Sequence, residues 1–185
     1  MNFIGREKEL SKLNELYYSE KGSLAIIYGR RRVGKTFLLR KFAENKNTLW
    51  FTAFEGNASM LLTSLNEAIS RFFYEGNSES LSFSNIKSVM DFIFREARRR
   101  HFAFIIDEYP YLAEVFPEVS SIIQMLLDTN KTDGKLMLIL SGSSMHFMER
   151  QVLGVESPLY GRRDMSLKIR PFSIRETAMM LSDKY

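Results

Sequence analysis

Gly29-Arg30-Arg31-Arg32-Val33-Gly34-Lys35-Thr36 is the stretch that decides the fold of this chain, because it matches the pattern G-x-x-x-x-G-K-[ST] in full. The apolar run Ser23–Tyr28 precedes it and predicts a buried strand, and Lys35–Glu44 follows with apolar residues at helical spacing. The glycines let the loop curl so that its N–H groups point at phosphate oxygens, and the helix adds its positive N-terminal dipole. We therefore predict a phosphate-binding loop (P-loop); a glycine turn with an incidental lysine is the structural alternative.

The side chains at the end of this loop predict how a nucleoside triphosphate is held. Lys35 places a positive charge on the β- and γ-phosphates, and the Thr36 hydroxyl is a ligand for Mg²⁺. The residues of this segment that we expect to contact the nucleotide are Gly29, Arg32, Val33, Gly34, Lys35, Thr36 and Phe37.

Two adjacent carboxylates follow a second apolar strand. Phe102–Ile106 is succeeded at once by Asp107 and Glu108. After a phosphate-binding loop, this order predicts that Asp107 orients Mg²⁺ through water and that Glu108 polarises the attacking water as a general base. The alternative is a strand–helix turn in which Asp107 only caps the helix.

Apolar strands alternate with helices along the chain. This order predicts an α/β protein, a three-layer α-β-α P-loop NTPase whose mainly parallel sheet has about five strands. The predicted strands are Ser23–Tyr28, Thr48–Ala53, Phe102–Ile106, Leu136–Leu140 and Met165–Ile169. The predicted helices are Glu7–Tyr18, Lys35–Glu44, Ser59–Phe73, Asn85–Arg100, Pro117–Asp128 and one that begins at Ser173.

The ligand site of such a sheet lies beyond the carboxyl ends of its strands. Gly29, Asp107 and Ser141 each follow a predicted strand directly, so we expect them to share one rim. A hydroxyl of Ser141 or Ser143 is then placed to sense the γ-phosphate. A plain Ser/Gly turn explains these serines equally well.

Arginines cluster in three places. Arg162 and Arg163, near the fifth predicted strand, predict an arginine finger, including one that acts in trans from a neighbouring subunit; a solvated basic loop is the alternative. Arg30–Arg32 and Arg98–Arg100 raise the prospect of nucleic-acid binding. The net charge of +4 supports this only weakly, and a solvated helix or loop face explains both clusters.

Composition excludes several classes of function. The absence of cysteine excludes disulfides, thiolate metal sites and a cysteine nucleophile, and two distant histidines suggest no zinc site. The apolar runs are far shorter than the roughly 20 residues that span a bilayer, and the N-terminus lacks the apolar segment of a secretory signal. We expect one main domain in this 185-residue chain, no membrane span and a cytoplasmic location.

Five stretches carry a resemblance to a known family: Phe3–Leu10 (FIGREKEL), IIYGRRRVGKT, FIIDEYPYL, LILSGSS and SPLYGRR. They resemble the archaeal-type ATPase domain family, P-loop ATPases of the additional-strand class related to AAA+ and STAND proteins. The resemblance implies a five-stranded core in which the strand that ends at Asp107 lies beside the P-loop strand. It also implies that Phe3, Ile4 and Arg6 pack near the adenine, that Ser141 or Ser143 occupies the sensor-1 position, and that Arg162 or Arg163 is the finger.

The same resemblance implies how the chain is organised. Residues 1–170 would form the ATPase core, with helix 7–18, P-loop 29–36 and acidic strand end 102–108. Residues 171–185 would begin a C-terminal lid that is cut short at Tyr185. The implied partners are ATP and ADP, together with self-association, a C-terminal domain or a protein partner.

The predicted activity is Mg²⁺-dependent cleavage of the β–γ bond of ATP by water. ATP rather than GTP is implied by the resemblance alone. The predicted catalytic residues are Lys35, Asp107, Glu108, Ser143 and Arg162. Two alternatives remain open, a nucleotide-operated switch with negligible turnover and a DNA-associated ATPase.

Overall fold

A five-stranded sheet forms the centre of the computed structural model, which describes residues 5–74, 81–130, 132–174 and 176–178. Its strands are β1 (Ser23–Tyr28), β2 (Thr48–Thr52), β3 (Phe102–Asp107), β4 (Leu136–Gly142) and β5 (Met165–Lys168). The described helices are α1 (Glu7–Tyr18), α2 (Lys35–Ala43), α3 (Ala58–Phe73), α4 (Ile86–Arg99), α5 (Tyr109–Val115), α6 (Val119–Thr129) and α7 (Met145–Phe147), and a π-helical turn follows over Met148–Val152.

The strand order is β2-β3-β4-β1-β5, and every neighbouring pair is parallel. This confirms the predicted α/β fold with a parallel sheet. One expectation is wrong, however, because β3 does not lie beside the P-loop strand. β4 is inserted between them and pairs with β1 on one side and with β3 on the other.

Both faces of the sheet are covered, which explains why its strands are apolar without interruption. Successive residues of a strand point to opposite faces. In β1, Leu24 and Ile26 face a core built with α3 to α6, whereas Ala25 and Ile27 face a second core built with α1 and α2. The odd-numbered residues of β3 belong to the second core, so the side chain of Asp107 emerges on the α2 side of the sheet.

Two helical segments were not predicted from the sequence. The short helix α5 begins directly after Glu108, with Pro110 in its first turn, where a missing N–H leaves no hydrogen bond unmade. The other is α7 with the π-helical turn, which connects β4 to the segment before β5. None of the described helices combines the length and the apolar character that a membrane crossing requires.

Candidate functional site

The P-loop leaves β1 at the carboxyl rim of the sheet. Gly29 lies so close to the end of β5 that a Cβ added there would be 2.2 Å from the carbonyl oxygen of Ile169. Gly34 is the residue before α2 and has a φ of 93°, a left-handed conformation that favours glycine. The two motif glycines are therefore required by a close approach and by a backbone turn, as the phosphate-binding pattern predicts.

Lys35 is buried at the base of the loop. Its ammonium donates to the carbonyl oxygens of Gly29 and Arg30 at 2.9 and 3.0 Å. Burial lowers the pKa of Lys35, and the neighbouring carboxylates of Glu108 and Asp107 oppose that shift. An ammonium whose present partners are neutral carbonyls is ready to exchange them for phosphate oxygens.

Asp107 at the end of β3 contacts Thr36 at the start of α2, although β4 lies between β3 and the strand that leads to the P-loop. The Thr36 hydroxyl donates to Asp107 Oδ2 at 2.9 Å, and Asp107 Oδ1 accepts the N–H of Glu108 at 3.1 Å. The contact forms because Asp107 faces the side of the sheet on which α2 begins. A hydroxyl and a carboxylate are oxygen ligands of the kind that Mg²⁺ prefers, usually together with phosphate and water.

The described residues do not include a metal site made of protein side chains alone. Within the described ranges, no three histidine or carboxylate side chains are grouped closely enough to hold an ion. The residues present therefore fit a metal that is held mainly by its nucleotide, with Thr36 and Asp107 as the protein's contribution.

Glu108 is held by Ser143. The Ser143 hydroxyl lies 2.7 Å from both carboxylate oxygens of Glu108, and the Ser143 N–H donates to Oε2 at 3.1 Å. Glu108 itself has a φ of 55°, which is uncommon outside glycine and marks a strained position at the start of α5. Ser141 is fully buried, and its hydroxyl has no partner among the described residues. Of the two candidate serines, the structure thus brings only Ser143 to the acidic pair.

An open cleft of about 480 Å³ joins these groups. Of the residues predicted to contact nucleotide, it is lined by Arg32, Gly34, Lys35, Thr36 and Phe37, and the opposite wall is formed by Glu108 and Tyr111. Arg31 also lines the cleft, and its guanidinium donates to the Tyr111 hydroxyl at 2.9 Å. Neither residue is among the nucleotide contacts that the sequence predicts, where Arg31 appears only as part of the basic cluster Arg30–Arg32. The available signal was their spacing, within the motif for Arg31 and one helical turn after Glu108 for Tyr111.

Arg6 contacts the backbone of the P-loop. Its guanidinium donates to the carbonyl oxygens of Val33 and Arg170, pairs with Glu9 at 3.2 Å and lies 4.3 Å from the ring centre of Phe172. The structure therefore places Arg6 against the backbone of the loop. Phe3 and Ile4, the other two predicted adenine contacts, lie outside the described residues.

Arg162 and Arg163 lie at the other end of the sheet. They precede β5, whose first residue pairs with Ala25, whereas the P-loop follows the last residue of β1. Arg162 donates to both carboxylate oxygens of Asp128 at 2.8 Å. The structure does not bring either arginine to the P-loop of its own chain, so the predicted finger applies only in trans.

The same rim carries Arg98–Arg100, which precede β3, while Arg30–Arg32 lie at the P-loop rim. The two basic clusters are therefore separated by the length of the sheet and do not form one surface. Asn130–Asp133 reads N-K-x-D, the pattern of a guanine-reading loop. Asn130 ends α6 at the rim opposite the P-loop, and its side chain binds Arg98 Nε at 2.7 Å, so it is not placed to read a base bound there.

Comparison with known proteins finds relatives along nearly the whole chain. A family described as an ATPase domain predominantly from Archaea matches residues 3–185. An uncharacterised protein of Methanocaldococcus jannaschii is 34% identical over 174 residues, which are 94% of this chain and 37% of that protein.

Solved structures with the same fold include two of different sources. The Walker-type ATPase of Pyrococcus abyssi has a TM-score of 0.69 at 25% identity, over 98% of this chain and 57% of its own. Drosophila ORC bound to DNA has a TM-score of 0.70 at 20% identity, over 98% of this chain and 47% of that chain, a likeness of fold alone. The chain spans less than two thirds of each of these three proteins.

Proposed function

Because the chain belongs to the ATPase domain family found predominantly in Archaea, we propose that it binds ATP with Mg²⁺ and hydrolyses the bond between the β- and γ-phosphates. One observation carries the proposal. The carboxylate of Glu108, fixed by Ser143, forms a wall of the same cleft whose floor contains Lys35 and Thr36. A base is thus held beside a phosphate-binding loop.

Binding uses groups that already point into the cleft. Lys35 exchanges the carbonyl oxygens of its own loop for oxygens of the β- and γ-phosphates, and the loop N–H groups and the start of α2 stabilise the remaining charge. Thr36 and Asp107 would hold Mg²⁺, which would supply positive charge to offset the negative charge of the triphosphate.

Glu108 then acts on the attacking water. It accepts a proton as the water oxygen bonds to the γ-phosphorus, and the bond from that phosphorus to the bridging oxygen breaks, which leaves its electron pair on ADP. Ser143 has one hydroxyl proton and one N–H, so it occupies two of about four acceptor positions on the carboxylate. The remaining positions are available to the water, and Ser143 orients the base without blocking it.

The test is phosphate release from Mg·ATP by wild type, Glu108→Gln and Lys35→Ala, with nucleotide binding measured in parallel. We expect Glu108→Gln to bind ATP without turning it over and Lys35→Ala to lose binding. Glu114→Gln makes the same chemical change at an exposed position of α5 and should leave turnover unchanged. Unaltered turnover in Glu108→Gln would contradict the assignment of the base.

A nucleotide-operated switch is the second candidate, and the contacts of Arg6 favour it. Arg6 joins the Val33 carbonyl in the loop to Arg170 and Phe172, which follow β5. We propose that residues 1–170 form the core and that residues 171–185 begin a lid. Arg6 then couples a change in the P-loop to the start of that lid. Nucleotide that stays bound through purification, with no phosphate release, would favour the switch over the hydrolase.

A further inference from the structure

Two of the three consecutive arginines in the P-loop, Arg30 and Arg31, have side chains on different sides of the loop. Arg30 lines a groove on the outer side of the loop with Lys168 and Arg170. Arg31 instead lines the cleft and crosses its mouth to reach Tyr111. The sequence motif treats these positions as interchangeable, whereas the structure separates them.

The partner of Arg31 sits beside the proposed base. Tyr111 is in the first turn of α5, and its N–H donates to the carbonyl oxygen of Glu108 at 3.1 Å. Since the water that Glu108 activates attacks the γ-phosphorus, the γ-phosphate must lie on the Glu108 side of the cleft. The guanidinium of Arg31 is therefore held where a triphosphate extends beyond a diphosphate.

We propose that Arg31 reads the γ-phosphate in cis and that Tyr111 positions it, an inference that rests on the proposed ATP-binding function. Arg31 makes no ion pair within the described part of the chain, and its bond to a neutral phenol at 2.9 Å leaves most of its donors for a phosphate. Arg162 and Arg163 lie at the opposite rim, so they do not compete for this role within one chain.

The two side chains have separable effects on affinity. A hydrogen bond between charged groups is worth enough that losing Arg31 should weaken binding of a triphosphate by about ten- to a hundredfold. Tyr111 positions Arg31 and does not itself contact the phosphate, so losing its hydroxyl should cost less, about two- to tenfold, again for the triphosphate alone. ADP does not reach either group and should bind within about twofold of wild type in both variants.

The experiment measures the dissociation constants of ADP and of a non-hydrolysable ATP analogue, with Mg²⁺, for Arg31→Ala, Arg31→Lys, Tyr111→Phe and Arg30→Ala. Arg30→Ala removes the same charge from the same loop and should change both affinities by one common factor. We expect Arg31→Ala and Tyr111→Phe to lower the triphosphate-to-diphosphate affinity ratio, and Arg31→Lys to restore part of it. Arg31 is exposed, and thermal melting of each variant checks that the fold is retained.

Five outcomes would overturn the inference, and the last two would also overturn the proposed function. Equal losses of ADP and analogue affinity in Arg31→Ala would show a general electrostatic effect. The same conclusion would follow if Arg30→Ala lowered the triphosphate-to-diphosphate affinity ratio as much as Arg31→Ala does. Normal binding of both nucleotides by Arg31→Ala would also overturn it while leaving the ATPase proposal intact. If wild type binds neither nucleotide, or if Lys35→Ala binds as wild type does, the proposed function itself fails and this inference fails with it.

Discussion

Replacing Ser143 with alanine separates two roles that this serine has been given. The sequence predicts a sensor that touches the γ-phosphate, whereas the structure shows its hydroxyl 2.7 Å from both carboxylate oxygens of Glu108. A sensor contributes to triphosphate affinity. A residue that orients the base contributes to turnover, because the orientation of Glu108 matters only when water attacks.

The size of the effect follows from what the variant keeps. The hydroxyl bond to a charged acceptor is worth about 1.5–3 kcal/mol, but the Ser143 N–H still donates to Oε2 at 3.1 Å in the alanine variant. We therefore take the lower end, about 1.5 kcal/mol, which corresponds to roughly a tenfold fall in kcat. Triphosphate affinity should stay within about twofold of wild type.

Steady-state phosphate release and analogue binding test this together. Ser143→Thr keeps the hydroxyl and should retain most of the activity. Ser141→Ala removes a hydroxyl that is fully buried outside the cleft lining, and it should leave kcat unchanged. Adding Ser143→Ala to Glu108→Gln should cost nothing further, since the two act as one unit. A variant that loses triphosphate affinity but keeps its kcat would refute the orienting role and restore the sensor.

Three other perturbations test separate parts of the structure. Gly29→Ala places a Cβ 2.2 Å from the Ile169 carbonyl oxygen and should cost about 3 kcal/mol by overpacking, a fall of about 6–12 °C in Tm by calorimetry. Burial lowers the pKa of Lys35, and a bound phosphate raises it again. Binding therefore takes up a proton at pH values between the pKa of the free ammonium and that of the phosphate-bound ammonium. ADP affinity should consequently fall as the pH rises through that interval, and calorimetric titration should show a weaker pH dependence in Lys35→Arg. If Arg162 acts in trans, specific activity should rise with protein concentration in wild type and stay flat in Arg162→Ala, while the Tm stays close to that of wild type because the pair with Asp128 is at the surface.

The parts of this fold that the sequence predicts well are those with a local cause. The P-loop is recognisable because glycine and lysine spacing follows from the needs of a bound phosphate. Each of the five strands is an apolar run long enough to be buried, and each was located within a few residues. Asp107 and Glu108 could be expected at the same rim because they follow such a run directly.

The strand order could not be read in the same way. β3 and β4 are both fully buried apolar strands, so nothing in their composition shows which of them pairs with β1. The order depends on packing between residues that are distant in the sequence. The hydrogen bond between Ser143 and Glu108 has the same origin. It requires β3 and β4 to be neighbours, with a register that brings the residues after each strand to the same height along the sheet.

Once the sheet is known to be parallel, the sequence is enough to predict at which rim of the sheet each arginine cluster lies. Segments that enter parallel strands lie at one rim, and segments that leave them lie at the other. Arg98–Arg100 and Arg162–Arg163 enter strands, whereas Arg30–Arg32 leave one. Of these three clusters, only Arg30–Arg32 lies at the rim where the chain's own nucleotide is proposed to bind, and the cluster before β5 can serve only another chain. ATP discrimination by an isolated chain and acceleration by a neighbouring chain are accordingly expected to depend on different arginines, and single substitutions can separate them.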